Sequence, residues 1–399
     1  MLVTLATRTF TPEPTAAALR LGALARALAA GGNRVRVLTS RLAPSVARDA
    51  REIGKNQALA DASGDTGESP GLVEVHRAPV LRDRTGAVRG YVSYMSFDLP
   101  LLARLLVSPR PDVVVCEPPP TTGVAVRLAC ALRRVPYVYY CADIVSDAAA
   151  LAGVPGLVVR TVAGLEAFAL QGARRVIAVS DGVAIRAREL GARDVAVVPN
   201  GVRVPEDVAT GRPDGFPAGS GPVFVYAGTV AQWLAPEVFV DAFERARAQL
   251  GDARLVFVGQ GSGWDGLAER AKGVAGVDLI PAVSADEADR WMARATATLA
   301  SLRPGGYDYA YPTKILASLA QGTPVIYAGP GQAARDVEES ALGVACSLDV
   351  DEIAEAMVAL ASGAASWVGR DGARAWVREH RSVLASSRAA AAVVRSALA

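Results

Sequence analysis

The sequence predicts an α/β protein with two doubly wound, Rossmann-like domains that face a cleft. Its 399 residues, 51% of them hydrophobic, exceed what one ordinary hydrophobic core holds. Short β-branched runs alternate with alanine- and leucine-rich amphipathic segments, a pattern typical of parallel sheets covered by helices. The alternation stops near residue 204 and then restarts, so two domains of roughly 200 residues are expected.

Seven short runs in the first half are the predicted strands of the N-terminal domain. They read LVTLA, VRVLT, VEVHR, DVVVC, YVYY, RVIAV and VAVV. Between the second and third runs, residues 41–71 are polar and contain several glycines, which indicates a mobile loop of the kind that often borders a substrate site. Tyr91, Tyr94 and Phe97 follow at helical spacing, so we expect them to pack in the core, with an acceptor groove as the alternative.

The domain boundary is marked by a change in composition. Residues 204–221 are rich in Pro, Gly and Asp, as linkers are, which places the N-terminal domain at 1–203 and the C-terminal domain at 222–378. The second domain has the predicted strands PVFVYAG, ARLVFVGQG, VDLIP, ATATLAS, PVIYAG and GVACS. Residues 379–399 are predicted to be a terminal helix that packs back on the N-terminal domain.

The stretch YPTKILASLAQGTPVIYAGPG, residues 311–331, has the features of a phosphate site. A helix is expected to start at Pro312 or Thr313, because proline fits the first helical position, and to end at Gly322. Lys314 then lies in the first turn, where free N–H groups and the helix dipole already favour an anion. It is one of only three lysines among 42 basic residues, and a solvated surface lysine is the alternative interpretation.

The charge balance argues against nucleic acid as a partner, since the net charge is only +2. Residues 1–200 carry 24 basic and 17 acidic side chains, and the remainder carries 18 and 23. A mildly basic first half suits an anionic acceptor or a membrane surface, although scattered charges of this size are also typical of an ordinary solvated exterior.

Cysteine and histidine usage argues against a metal site, and no cofactor is expected. The four cysteines form no C-x-x-C pair, and the only histidines are His76 and His380. The amino terminus lacks the basic segment and long apolar core of a signal peptide, and no apolar run of about 18 residues occurs. We therefore expect a cytoplasmic protein that is soluble or peripherally attached to a membrane.

Several motifs together resemble those of the GT-B fold glycosyltransferases of family 4. The stretch VSDGVAIRARELGARDVAVVPNGV is similar to that family's strand-Ser, helix, Leu-Gly, strand-Pro-Asn-Gly-Val passage. FTPEPTAAALRLGALARALAAGGNRVRVLTS resembles the opening of a branch that reads Pro-Glu-x-Gly-Ala, with Thr15 in place of the usual glycine. PDVVVCEPPPTTG and YVYYCADIVSDAAALAG look like two further passages of that branch, with Glu117 and Ala142 as departures. The Pro-Thr-Lys stretch is similar to its Pro-Ser/Thr-Lys donor motif.

This resemblance implies a nucleotide-sugar donor in the C-terminal domain and an acceptor in the N-terminal domain. Glycines that follow strands let backbone amides approach a diphosphate. The implied donor-binding residues are Gly228, Thr229, Gly259, Gly261, Tyr309, Tyr311, Pro312, Thr313, Lys314 and Ala317. The acceptor-binding candidates are Glu13, Thr15, Arg20, Glu117, Asp143 and Asp147.

Two departures from the family pattern concern how the donor is held. Members often carry an arginine and a lysine after the Gly228 strand, but here the passage reads TVAQWLAPE, so the positive charge is expected from Lys314 with Arg303. Many members also carry two glutamates eight positions apart, and matching the motifs puts Tyr309 and Ala317 in their places. Either another residue such as Asp308 or Tyr309 holds the ribose, or the donor is unusual, or the protein is a catalytically weak partner of another transferase.

The expected catalytic residues are Lys314 and Arg303, because negative charge develops on the departing diphosphate. Retaining members are thought to let the leaving phosphate take the acceptor proton, which requires neither a metal nor a histidine. An inverting enzyme would need a positioned base, for which Asp143 at the end of a strand is a candidate, as are Asp147, Glu13 and Glu117. A helix cap is the alternative role for Asp143.

The function predicted is sugar transfer from a nucleotide-sugar to a small-molecule or lipid-linked acceptor, with retention and without metal. The alanine-rich, lysine-poor composition suggests specialised-metabolite or envelope-glycan biosynthesis. Two alternatives remain open, namely a catalytically weak nucleotide-sugar-binding partner of another transferase and a sugar-nucleotide epimerase on the same fold.

Overall fold

A computed structural model of the chain describes residues 1–13, 15–43, 46–47, 73–82, 88, 90–151, 153–305 and 308–398. The chain divides into two compact units. Unit 1 comprises Met1–Asn200 together with Ser386–Ala399, and unit 2 comprises Gly201–Ala385. The predicted loop at 41–71 lies mostly outside the described residues.

Unit 1 is built on a seven-stranded parallel sheet in the order β3-β2-β1-β4-β5-β6-β7. Its strands are β1 (Leu2–Ala6), β2 (Arg34–Ser40), β3 (Val73–Ala78), β4 (Val113–Cys116), β5 (Tyr137–Cys141), β6 (Arg175–Ala178) and β7 (Val195–Val197). The central strands are almost wholly apolar and buried, as expected for a parallel sheet covered on both faces.

Helices cover both faces of this sheet. They are α1 (Ala16–Ala30), α2 (Tyr91–Val107), α3 (Pro120–Arg133), α4 (Val145–Leu151), α5 (Gly156–Gly172), α6 (Asp181–Glu189) and the terminal α14 (Val383–Ser396). Right-handed crossovers place α2, α3 and α5 on one face and α1 on the other. Helices α2, α3 and α5 pack side by side in that order. On the opposite face, Ala390, Ala391 and Val394 of α14 share a core cluster with Leu21 and Leu24 of α1.

Unit 2 has a six-stranded parallel sheet in the order β10-β9-β8-β11-β12-β13. Its strands are β8 (Val223–Thr229), β9 (Arg254–Gln260), β10 (Val277–Pro281), β11 (Ala297–Ser301), β12 (Val325–Ala328) and β13 (Gly343–Cys346). Its helices are α7 (Val238–Leu250), α8 (Trp264–Ala271), α9 (Ala285–Arg294), α10 (Thr313–Ala320), α11 (Gln332–Glu339), α12 (Val350–Ser362) and α13 (Gly369–His380).

Two parallel sheets with flanking helices confirm the predicted fold class. Each of the thirteen predicted strand segments overlaps a strand of the structure. The strand order reverses between β1 and β4 in unit 1 and between β8 and β11 in unit 2, and doubly wound sheets bind ligands beyond the carboxyl ends of strands at such points. None of the helices in the described part of the chain is long and apolar enough to cross a membrane.

Candidate active site

In unit 2, Lys314 lies at the reversal point of the strand order. Helix α10 starts at Thr313, with Pro312 as its N-cap, so Lys314 is the second helical residue, as the sequence predicts. Its Nζ lies 3.6 Å from the centre of the Tyr226 ring and donates a hydrogen bond of 3.3 Å to the carbonyl oxygen of Thr229. The ammonium is thus held between the first turn of α10 and the end of β8. We call Lys314, Tyr226 and Thr229 the lysine site.

Desolvation changes the protonation of this lysine. Burial lowers the pKa of Lys314 from its ordinary value of 10.5 to about 7. The ring of Tyr226 and one carbonyl oxygen carry no full negative charge, so they compensate only part of the lost hydration. A bound anion would supply the missing charge and favour the protonated form.

Glycines give the backbone around the lysine site its close approach. Gly228 has φ +128°, which a side chain would strain, and a Cβ there would lie 3.7 Å from Cε of Lys314. A Cβ at Gly259 would lie only 2.0 Å from the carbonyl oxygen of Gly228, and one at Gly261 equally close to that of Val230. Positions 259 and 261, at the end of β9 and directly after it, therefore accommodate only glycine.

Arg303 follows β11 but is already engaged. Its guanidinium forms an ion pair of 3.1 Å with Glu237 and donates to the carbonyl oxygen of Gln232 at 3.3 Å. The backbone N–H of Arg303 donates a hydrogen bond to the carbonyl oxygen of Trp233. These contacts of Arg303 hold the segment after β8 in position. Its half-exposed guanidinium is paired with the carboxylate of Glu237.

The remaining donor candidates have different surroundings. Thr313 is exposed in the first turn of α10, whereas the Tyr311 ring packs against the cluster around Ile315 and lies 5.1 Å from the guanidinium of Arg381. Tyr309 is half-buried in the loop before α10. Ala317 packs, together with Phe216 and Ile280, against an apolar cluster that includes Trp291 and Met292, and its methyl group supplies no carboxylate in place of the family's glutamate.

In unit 1, a cavity of about 180 Å³ opens beyond the carboxyl ends of β1, β4 and β5. We call it the unit 1 cavity. Its lining residues are Arg8, Thr9, Ala17, Arg20, Glu117, Pro118, Ala142 and Asp143. Three of the six predicted acceptor-binding residues, Arg20, Glu117 and Asp143, are thus brought together there.

Arg20 and Glu117 form a buried ion pair in this cavity. Nη2 of Arg20 lies 3.0 Å from Oε2 of Glu117, and the side chains are 14% and 5% exposed. Glu117 also accepts a hydrogen bond of 2.7 Å from the hydroxyl of Thr7, and Arg20 donates to Oδ1 of Asn200 at 3.4 Å. The guanidinium lies 5.1 Å from the centre of the Tyr140 ring. These contacts fix both charged groups in a rigid orientation.

The other three acceptor candidates have structural partners and do not line the cavity. Glu13 is buried, accepts from the N–H of Phe10 and pairs with Arg82 at 3.4 Å. Thr15 is the N-cap of α1, where its hydroxyl accepts from the N–H of Ala18. Asp147 accepts two hydrogen bonds of 2.8 Å from one guanidinium, that of Arg186.

Sequence reasoning missed the two other polar residues of the lining, Arg8 and Thr9, although both closely follow strand β1, where ligands of such sheets bind. Arg8 lies 4.1 Å from the centre of the Tyr94 ring. The prediction that Tyr91, Tyr94 and Phe97 pack in the core is correct for Phe97 but wrong for Tyr91, which is 69% exposed. The helix turns these residues to different sides because Tyr91 and Phe97 are six positions apart.

A second cavity, of about 320 Å³, lies at the carboxyl ends of β12 and β13 in unit 2. It is lined by Pro304, Gly329, Pro330, Ala334, Glu338, Ala345, Cys346, Ser347 and Leu348. None of the predicted donor residues lines it. His76 and His380 both have half-exposed side chains and neighbouring glutamates.

Two family models match most of the chain. The model of glycosyl transferase 4-like domains matches residues 15–201, and the model of group 1 glycosyl transferases matches residues 221–362. No curated protein sequence matches at a significant level.

Solved glycosyltransferase structures share the fold along the whole chain. Sucrose-phosphate synthase from Thermosynechococcus elongatus superposes with a TM-score of 0.69 at 15% identity, covering 99% of this chain and 98% of that one. The galactosyltransferase WaaB of the lipopolysaccharide outer core gives 0.66 at 13% identity, covering 99% and 100%. HepE of Anabaena, solved with UDP and glucose, gives 0.64 at 16% identity, with the same coverage. Because the two family models match both halves of the chain and each unit contains the parallel sheet of these structures, the chain belongs to family 4 of the GT-B glycosyltransferases.

Proposed function

We propose that the protein moves a sugar from a nucleotide-sugar bound in unit 2 to an acceptor bound in unit 1. The lysine site carries this proposal. It combines a cation, the first turn of a helix and a glycine-lined strand end, the three features that protein phosphate sites share. HepE was solved in complex with UDP and glucose and with UDP-glucose, so uridine diphosphate sugars are the first donors to test.

In the proposed reaction, the bond between the anomeric carbon and the donor phosphate oxygen breaks. Negative charge then grows on the departing diphosphate, where the Lys314 ammonium and the first amides of α10 stabilise it. The acceptor oxygen forms the new bond to the anomeric carbon, and its proton passes to the leaving phosphate. This course retains the anomeric configuration and needs neither a metal nor a protein base. Arg303 acts indirectly, since its ion pair with Glu237 positions the segment after β8.

For the acceptor, the unit 1 cavity suggests a neutral, hydroxyl-rich group. Two arginines and two carboxylates line it, so formal charges balance while hydrogen-bond donors and acceptors alternate. Sugar, cyclitol and lipid-linked glycan head groups have this character. The name of WaaB, an outer core galactosyltransferase, supports an envelope glycan over a specialised metabolite.

Calorimetric titration with UDP, GDP, ADP, dTDP and CDP tests the donor site. We expect one nucleotide to bind, Lys314→Ala to weaken it by about tenfold or more, and Lys272→Ala to leave it unchanged. Lys272 is the matched control because it lies in the same unit with a side chain 77% exposed. If no nucleotide binds, or if both variants behave alike, the donor site is wrongly assigned. NMR of the product anomer and transfer in excess chelator test retention and metal independence.

Ala317 favours a second candidate function, a catalytically weak partner that binds the donor for another transferase. Ala317 packs against an apolar cluster, and an alanine at that position supplies no carboxylate for the ribose. Binding of a nucleotide-sugar without transfer to any hydroxyl acceptor, and without slow hydrolysis, would favour this candidate.

A further inference from the structure

Helices α2, α3 and α5 of unit 1 present an unusually apolar outer face, which we call the helix layer. They hold 10 of the 19 large hydrophobic side chains that the described chain exposes. Val107, Leu132 and Leu157 are 84%, 74% and 72% exposed. The full set is Tyr91, Val92, Leu99, Leu106, Val107, Leu128, Leu132, Leu157, Val158 and Phe168. Concentrated exposure of this kind marks an interaction surface.

The charge on the helix layer has one sign. Its only two acidic residues, Asp98 and Glu166, are fully buried and hydrogen-bonded to Thr122 and Ser146, respectively. Its basic residues are Arg104, Arg127, Arg133 and Arg160. Guanidinium groups of the first three donate to backbone carbonyls. No carboxylate of these three fully described helices therefore neutralises the outer face.

We propose that the helix layer docks on the surface of a bilayer that contains anionic phospholipids. Aliphatic side chains interspersed with arginines are the composition that binds the boundary between headgroups and acyl chains, and single-sign basic charge adds attraction to anionic lipid. Eight of the ten exposed hydrophobic residues are Leu or Val, spread over three helices. The core of a protein interface instead concentrates aromatic anchors and excludes charge.

The helix layer also reaches the unit 1 cavity. Tyr94 lies in the first turn of α2, and the guanidinium of Arg8 lies 4.1 Å from the centre of its ring. Arg8 also lines the cavity. A docked helix layer would therefore place the cavity next to the bilayer, where a lipid-linked acceptor would enter. This consequence rests on the proposed function, whereas the docking itself does not.

Co-sedimentation of the full chain with phosphatidylcholine vesicles, with and without phosphatidylglycerol, tests the docking. We expect binding only to the anionic vesicles, and weaker binding as ionic strength rises. Leu132→Asp should reduce the partition coefficient by about tenfold or more, because it removes an inserted side chain and adds a repelled charge. Arg160→Glu should also reduce the partition coefficient.

Leu19→Asp is the matched control. Leu19 is 65% exposed on α1, on the opposite face of the same sheet, so this substitution should leave vesicle binding unchanged. Thermal unfolding of each variant checks that the fold is kept. Three results would overturn the proposal: equal binding to both vesicle types, an equal loss of binding for Leu132→Asp and Leu19→Asp, or no binding to any vesicle. If no vesicle is bound, an acidic protein becomes the expected partner of the helix layer. Nucleotide titration of the same samples separates this failure from a failure of the donor site.

Discussion

The low pKa of Lys314 predicts that nucleotide binding takes up a proton. Above pH 7 the free protein holds this lysine largely neutral, because burial lowers its pKa to about 7. A bound diphosphate brings negative charge to the ammonium and returns the pKa towards its ordinary range. Each pH unit above 7 should then weaken nucleotide binding by about tenfold, or about 1.4 kcal/mol, up to the pKa of the complex.

Calorimetry at several pH values, in buffers with different ionisation enthalpies, measures both the affinity and the protons taken up. We expect uptake of about one proton per nucleotide well above pH 7 and almost none well below it. Lys314→Arg keeps its charge throughout this range, so its affinity should not depend on pH. An affinity of the native protein that stays constant above pH 7, or proton uptake that persists in Lys314→Ala, would refute the reasoning.

The same pKa shift affects stability. Between pH 7 and 10.5 the unfolded chain binds more protons at Lys314 than the folded chain does, so the free energy of unfolding should rise with pH in this window. Lys314→Met removes this dependence. In urea unfolding at several pH values, the free energy of unfolding of the native protein should rise relative to that of the variant as pH rises.

Three further predictions follow from the two units. Ala317→Glu should tighten nucleotide binding about tenfold if the ribose lies against α10 as in the family, and titration that shows no gain would place the ribose elsewhere. Glu166→Ala should lower the free energy of unfolding by about 3 kcal/mol in urea, because the carboxylate accepts from two backbone N–H groups and the hydroxyl of Ser146, whereas Glu166→Gln should cost less. Arg20→Ala should cost about 3 kcal/mol by the same assay, since it leaves Glu117 buried without its cation, and it should also weaken acceptor binding; a variant as stable as the native protein would contradict this.

The strands and the start of α10 were predictable because each depends on local sequence. β-branched runs bounded by glycine or proline define the strands, and Pro312 fixes where the helix begins. Side-chain pairing over long sequence separation was not predictable. The partners of Asp147 and Arg303 are 39 and 66 positions away, and no local pattern indicates that these charges are already paired.

The residues of the unit 1 cavity were predicted in part, because some of their positions follow from the local sequence and the sheet topology. Glu117 and Asp143 follow strands β4 and β5, and Arg20 lies in the second turn of the helix that follows β1, so topology brings them together. Arg8 was missed because a charged residue after a strand resembles many surface residues, and only the Tyr94 ring beneath it distinguishes this one.

Helix α14 has a consequence for biosynthesis. Its residues from Ser386 onward belong to unit 1, whose core includes Ala390, Ala391 and Val394, although all of unit 2 precedes them in the chain. Unit 1 therefore completes its core only after the whole of unit 2 and the residues beyond 386 have been synthesised and have left the ribosome. Unit 2 has no such dependence and can finish folding first, so the usual order from amino to carboxyl terminus is reversed. A nascent chain that is stalled or cleaved before residue 386 would leave exposed the apolar side chains of α1 that share a core cluster with α14.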